Sequence, residues 1–284
     1  MELSDILVVC GPTASGKSEL ATTLAVENHG AIINADALQI YKNIEICSAS
    51  PTLIAKHRAP HHLYNFLNYD EEYSVWQYCH DARIAIAETI KTKLKPIIVG
   101  GSGLYLYSLL YGIDNIPSVD VDIRIDTRNL YNTLGHQAFW EKLLTLIPGI
   151  ANKIHMNDTQ RLIRVYEVFQ QTGKPIWAFY GQSSGITKQY KVKIHKILPE
   201  RRLLYGNINS RIIQMMQLGA INEVIKLNDN WHNVCVTVKK ALLVCELQQF
   251  ISGDIPTLDL CIELAQKNSR HYAKRQYTWF RNKF

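Results

Sequence analysis

No C-x-x-C pair occurs in this chain, and no apolar run approaches the length of a membrane-spanning helix. The first absence leaves no cysteine zinc site of the usual spacing. The six cysteines, at positions 10, 47, 79, 235, 245 and 261, are too scattered to form a disulfide framework. They read as small core residues of a reduced, cytoplasmic protein. The second absence leaves no membrane anchor, and Ile6–Val9 behind the acidic start Met1–Asp5 is too brief for the apolar core of a secretory signal. Internal repeats and low-complexity segments are missing as well. Several histidines gather at 29, 57, 61, 62 and 80, but His61 and His62 are adjacent and do not make a helical metal pair. Nor is there a surplus of acid: 31 Lys and Arg face 25 Asp and Glu, for a net charge of +6. That sign suits a polyanionic partner, and it equally serves plain solubility.

The N-terminal part alternates short buried runs with helical spacing. Ile6–Val9 reads as a strand buried on both faces, Lys17–Glu27 as a helix with Leu20, Ala21, Leu24 and Ala25 on one side, and Ala31–Ile33 as a second strand. Ser74 with Gln77 forms a capping box opening a long helix, and Pro96–Val99 is a third buried strand meeting Gly100-Gly101. This order predicts an α/β fold, with a P-loop NTPase-like parallel sheet core flanked by helices. The pattern turns helical near Ile116-Pro117. Residues 1–119 and 198–284 are therefore expected to form the core, and 120–197 a mostly helical insertion domain. Gln182–Gly185 is expected as a polar loop, Lys191–Ile194 as a half-exposed strand, and Ser269–Phe284 as one helix.

Gly11-Pro12-Thr13-Ala14-Ser15-Gly16-Lys17-Ser18 fits G-x-x-x-x-G-K-[ST] between a strand and a helix. Glycines let the backbone wrap so that N–H groups converge on phosphate oxygens, and the following helix adds the positive end of its dipole. Lys17 supplies a full charge, and Ser18 a hydroxyl suited to Mg²⁺. Such a loop specifies a diphosphate or triphosphate, not the molecule that carries it.

The second strand leads to Asp36, and strand ends in such sheets face the ligand crevice. A carboxylate there can hold a metal or accept a proton, although Asp also favours helix N-caps. The third strand ends in Gly100-Gly101-Ser102, without the acidic residue of an ATPase metal site. Ser102 either donates to a departing diphosphate or caps a helix. Asp158 is a plausible cap for a helix on which Gln160, Arg161 and Arg164 share one face, while Leu162, Tyr166 and Phe169 make the buried one. In the last helix Ala273, Tyr277, Phe280 and Phe284 form a stripe beside Arg270, Lys274 and Arg281, which serve as a phosphate rail or as the rim of a core.

Six segments appear in order: GPTASGKS, NADALQIYKN, PHHL, IIVGGSGLYL, NDTQRLIRVYEVFQQTGKP and YAKRQYTWFR. Together they resemble the tRNA dimethylallyltransferases, also called tRNA isopentenyltransferases, from residue 11 to residue 281. The resemblance implies transfer of a dimethylallyl group from its diphosphate to N6 of the adenosine 3′ of the anticodon, with Mg²⁺, by a monomeric bacterial-type short form. It implies Asp36 as the base on the amine, and Lys17 and Ser102 on the leaving diphosphate. It assigns tRNA contacts to Asp36, Ala37, Leu38, Gln39, Ser102 and Arg124, and to Gln160, Arg161, Leu162, Ile163 and Arg164. The segment Glu45–Pro51 departs from the family's D-I-G-T-A-K-P, with Cys47 in place of a glycine and Ser50 in place of the lysine. Lys240 stands for an arginine, as a diphosphate contact without the bidentate fork, and Leu243 for a glycine. These departures keep two alternatives in view, a P-loop kinase of small molecules or nucleotides and an inactive tRNA-binding relative.

Overall fold

The computed structural model describes residues 5–181 and 184–284. Two compact units divide the chain, Met1–Gly112 with Gly185–Phe284 as the core, and Ile113–Ser184 as the insertion. The predicted insertion, 120–197, is thus too late at both ends. Its last stretch belongs to the core because Lys191–Lys196 pairs along the first strand. Of the expected loop at 182–185, Gln182 and Ser183 lie outside the described residues, as do Met1–Ser4.

The core sheet is built from β1 (Asp5–Cys10), β2 (Gly30–Asn34), β3 (His61–His62), β4 (Lys95–Gly100) and β5 (Lys191–Lys196). Their order is β3-β2-β4-β1-β5, and every pairing is parallel. Central strands β1, β2 and β4 are buried almost end to end, the pattern expected of a sheet covered on both faces. Edge strand β5 alternates Lys191, Lys193 with Val192, Ile194, as its half-exposed position requires.

Parallel strands need crossovers, supplied here by α1 (Lys17–Glu27), α2 (Leu53–Arg58) and α3 (Val75–Lys91), while α4 (Gly103–Tyr111) follows β4. Ser74 accepts from the Gln77 amide and Gln77 reaches back to Ser74, so the capping box that opens α3 forms. Beneath the first turn of the sheet, Leu7, Val9, Ala21, Ala25, Ile32, Ile97 and Val99 pack into one cluster.

The insertion holds α5 (Val121–Leu146), kinked at Gly135 where φ is 74°, and α6 (Thr159–Thr172). Asp158 caps α6 through the Arg161 amide. Phe139, Leu143, Ile147, Leu162, Val165 and Val168 give this unit its own core.

After β5 the core continues with α7 (Arg201–Gln217), α8 (Ala220–Asn228), α9 (Val236–Lys239), α10 (Val244–Ile251) and α11 (Leu258–Lys283). Thr257 caps α11 through the Leu260 amide, so the helix expected from Ser269 starts eleven residues earlier. Breaks at Gly219 and Gly253 fall between helices as their positive φ values allow. Among the described residues no helix is long and apolar enough to cross a membrane.

Candidate active site

The phosphate loop spans the turn from β1 to α1. Gly16 sits at φ 86°, a left-handed conformation that turns the chain into α1. Behind the loop, α7 and α11 hold its outer side. Arg211 donates to the Thr13 hydroxyl, Asn207 donates to the Ala14 carbonyl at 3.3 Å, and Gln276 accepts from the Thr13 amide at 2.8 Å.

Within the loop lies a cavity of about 270 Å³ lined by Thr13–Glu19, Asp36, Gln39, Ser48, Ala49 and Arg211. Gly11 and Pro12 are buried behind it. Lys17 is 8% exposed, and its Nζ reaches the Pro12 carbonyl at 3.3 Å. Burial lowers the Lys17 pKa to about 8, against the opposing pull of the Asp36 carboxylate. Arg211 is lowered in the same direction by burial, and again Asp36 opposes it. Two buried cations therefore share this cavity with the Asp36 carboxylate, while the second carboxylate of the lining, Glu19, is exposed and paired with Arg58 at 3.0 Å. The Ser15 hydroxyl and Arg211 Nε are buried with no hydrogen-bond partner among the described residues. Buried donors without acceptors are costly, and a phosphate group in the loop would supply them.

Asp36 is fixed by its neighbours. Wholly buried Asn34 accepts from the Asp36 amide at 2.9 Å and donates to the Asp36 carbonyl at 3.1 Å and the Leu63 carbonyl at 2.9 Å. Asp36 Oδ1 accepts from the Leu38 amide at 3.1 Å, a local turn and not a helix cap. A Cβ built at Gly101 would lie 3.4 Å from Asp36 Oδ2 and 3.4 Å from the Gly11 carbonyl. The ends of β1, β2 and β4 therefore converge at one point. Burial and then the Asp36 charge raise the phenols of Tyr64, Tyr105 and Tyr272, the last to about 12.

Ser102 precedes α4, yet its side chain makes no bond to that helix. Instead Ser102 Oγ accepts from the Ala37 amide at 2.9 Å, which leaves its own proton free to donate. Ser102 lies one residue beyond Gly101 but does not line the phosphate-loop cavity. Gln39, assigned to tRNA by the resemblance, donates to the Ser48 and Ala49 carbonyls at 3.1 and 2.8 Å and so shapes the cavity rim.

Lys240 is not where the departure from the family pattern put it. It follows α9, exposed and outside the cavity lining, whereas Arg211 on α7 occupies that lining. Sequence reasoning missed Arg211, Asn34 and Gln276. A basic residue in an amphipathic helix 194 residues beyond Lys17 carries no local signal, and neither does a buried amide. Leu243 is fully buried at φ 69°, and its amide is held by buried Glu246 at 2.8 Å. Ser50 has traded a charge for a hydroxyl contact of 3.0 Å with Ser48.

In the insertion, Gln160 and Arg161 are exposed, and Arg161 pairs with Asp158 at 3.4 Å. Arg164 is tied to Glu167 at 3.3 Å and to the Pro117 carbonyl at 3.4 Å. Leu162 is 0% exposed inside the insertion core, with Ile163 packed against that core, so the Leu162 side chain is not available to a partner. Arg124 is exposed in the first turn of α5. Among the described residues no group of three or more His, Cys, Asp or Glu is placed to hold a metal.

The sheet and the loop define an α/β protein of the P-loop type. A model of the IPP transferase family matches residues 39–283, and one of isopentenyl transferases matches residues 4–58. The tRNA dimethylallyltransferase of Rickettsia canadensis is 41% identical, over 99% of this chain and 87% of that protein. The tRNA dimethylallyltransferase of Orientia tsutsugamushi (strain Ikeda) is 37% identical over 99% and 92%. Among solved structures, the tRNA isopentenylpyrophosphate transferase of Bacillus halodurans is similar at TM-score 0.68, with 33% identity over 99% of this chain and 88% of that one. A eukaryotic dimethylallyltransferase acting on tRNA is similar at TM-score 0.78, with 27% identity over 97% and 69%. This chain belongs to the IPP transferase family.

Proposed function

We propose that the protein is a tRNA dimethylallyltransferase that alkylates N6 of the adenosine 3′-adjacent to the anticodon and releases diphosphate. The observation that carries this reading is the cavity in which Lys17, Arg211 with its unpartnered Nε, and the unpartnered Ser15 hydroxyl meet the Asp36 carboxylate where three strand ends converge. The names of the relatives supply the donor and the acceptor, and the net charge of +6 suits a nucleic-acid partner.

The chemistry follows from the groups present. Adenine N6 is a weak nucleophile because its lone pair is delocalised into the ring. As N6 attacks C1 of the allylic donor, the C1–N6 bond forms, the C1–O bond breaks, and the proton on N6 passes to Asp36. Lys17, Arg211, Ser15 and the loop amides take up negative charge as diphosphate leaves, and the Ser102 proton is available to the bridging oxygen. Ser18 and Asp36, which line one cavity, fit Mg²⁺, and the ion would add Lewis-acid stabilisation of the leaving group. The target base must leave the anticodon-loop stack to reach Asp36. Gln160, Arg161 and Arg124, exposed in the insertion, would take the tRNA backbone. We take the working unit to be a monomer in the cytoplasm, in keeping with free thiols at all six cysteines.

Incubation with dimethylallyl diphosphate, Mg²⁺ and unmodified tRNA tests the reading. The expected products are diphosphate and N6-dimethylallyladenosine. Formation of ADP from ATP with a small-molecule acceptor, without prenylated tRNA, would mark a kinase instead. The end of β4 in Gly100-Gly101-Ser102, with no acid for a nucleotide-bound metal, speaks against that outcome.

A further inference from the structure

Gln276 is a neutral side chain of α11, only 7% exposed, and both ends of its amide are engaged across the chain. Its Oε1 accepts from the Thr13 amide in the phosphate loop, and its Nε2 donates to the Gly101 carbonyl, each at 2.8 Å. Gly101 is required here by close approach, since a Cβ would meet Gln276 Nε2 at 2.7 Å. Three residues further along α11, Trp279 packs on the next turn of the same loop, where a Cβ at Gly103 would lie 2.3 Å from its ring. Beside this inner face α11 is basic: Lys274, Arg275 and Lys283 line, with Trp279, a surface cavity of about 550 Å³. One helix thus carries a cationic cavity and, next to it, a two-ended clamp on the phosphate loop and the Ser102 loop.

We propose that Gln276 is a positioning residue through which a polyanion seated on α11 sets the spacing between the phosphate loop and Ser102, so that diphosphate and tRNA bind cooperatively. The inference rests on the functional reading above. The physical requirement is a contact that both ligands bias, and the clamp meets it because one amide spans the gap between Thr13 and Gly101 and carries a displacement of α11 into that gap.

The experiment measures inorganic diphosphate affinity, with Mg²⁺, in the full chain with and without a saturating tRNA anticodon stem-loop. The native chain is expected to bind diphosphate about 5-fold or more tightly when the stem-loop is present. In Gln276→Met, which keeps the length but loses donor and acceptor, the two affinities should agree to within about twofold, with stem-loop affinity nearly native. Gln276→Glu keeps the acceptor for Thr13 and loses the donor to Gly101 when ionised, so its coupling should fall to an intermediate value. It also serves if the Met variant does not fold. In turnover, where tRNA is always bound, the clamp predicts that both variants raise the KM for dimethylallyl diphosphate while diphosphate affinity without the stem-loop stays near native, a split that simple loss of packing would not produce. Unchanged coupling in either folded variant overturns the proposal, and so does a native chain in which the stem-loop leaves diphosphate affinity untouched. A native chain that binds neither diphosphate nor stem-loop removes the functional reading itself, and this is seen before any variant is made.

Discussion

The phosphate-loop cavity and the insertion solve opposite problems with charge. In the cavity, Lys17 and Arg211 are desolvated, and the Ser15 hydroxyl lacks a partner. Leaving such groups unpaired costs stability, and the arrangement makes physical sense when an anion completes it. In the insertion Arg161 pairs with Asp158 at the surface, and half-buried Arg164 closes the charge of buried Glu167, around an apolar core of the unit's own. The difference teaches where to look for chemistry and where for recognition. Groups held at a cost point to a reacting site, and solvated charges on a self-sufficient scaffold point to long-range attraction of a polyanion.

The comparison breaks first at Asp36. Its removal in Asp36→Ala should lower kcat by about 10²–10⁴-fold while tRNA affinity stays within about threefold. Steady-state turnover alongside filter binding checks this, and near-normal turnover would remove Asp36 as the base. The mirror-image experiment is Leu162→Ala. Truncating a fully buried leucine should destabilise the insertion by about 2–5 kcal/mol. Segment-resolved hydrogen exchange should show the loss in 113–184, with diphosphate affinity of the core unchanged. Loss of protection throughout both units would mean that they do not behave as separate cores.

A pH titration sharpens the same contrast. Burial holds Lys17 near 8, below its ordinary value, so its charge is present below that pH and is lost as the pH rises through it. Diphosphate binds the protonated form, hence affinity should fall above about pH 8, by up to tenfold per pH unit. Lys17→Met should flatten this dependence and weaken diphosphate by about 10–100-fold. A native affinity that stays flat between pH 7 and 9.5 would remove Lys17 from the contact.

Much of this contrast can be read directly from the sequence, and the reason is local. The phosphate loop, the strand leading to Asp36 and the capping box at Ser74 are each encoded within a few consecutive residues, where backbone geometry and side-chain chemistry coincide. The buried positions of α6 likewise follow from helical spacing. What escapes is whatever depends on long-range assembly. Arg211, Asn207 and Gln276 reach Thr13 and Ala14 from helices 193 to 263 residues away, and nothing in their own neighbourhoods marks them. Lys191–Ile194 reads as a half-exposed strand within the insertion until the parallel register of Lys191–Lys196 beside β1 places it at the core's edge. Leu243 illustrates the reverse case. The family pattern has a glycine at this position, and the fold holds Leu243 at positive φ with its amide on Glu246, a conformation that a glycine would adopt with less strain.

The smallest expected effect is the most informative about the insertion. Arg161 is 73% exposed along its side chain, and its ion pair with Asp158 at 3.4 Å contributes about 0–1 kcal/mol to stability. Arg161→Ala should therefore leave the unfolding transition nearly in place. If the exposed face of α6 meets a tRNA backbone, the same change weakens tRNA binding modestly and uniformly across tRNA sequences. It also reduces the slope of log affinity against log salt by about one. Diphosphate affinity, set inside the other unit, should not move. A slope identical to the native value would make Gln160, Arg161 and their neighbours an ordinary solvated face. Recognition would then rest on the basic cavity of α11 alone, lined by Lys274, Arg275 and Lys283.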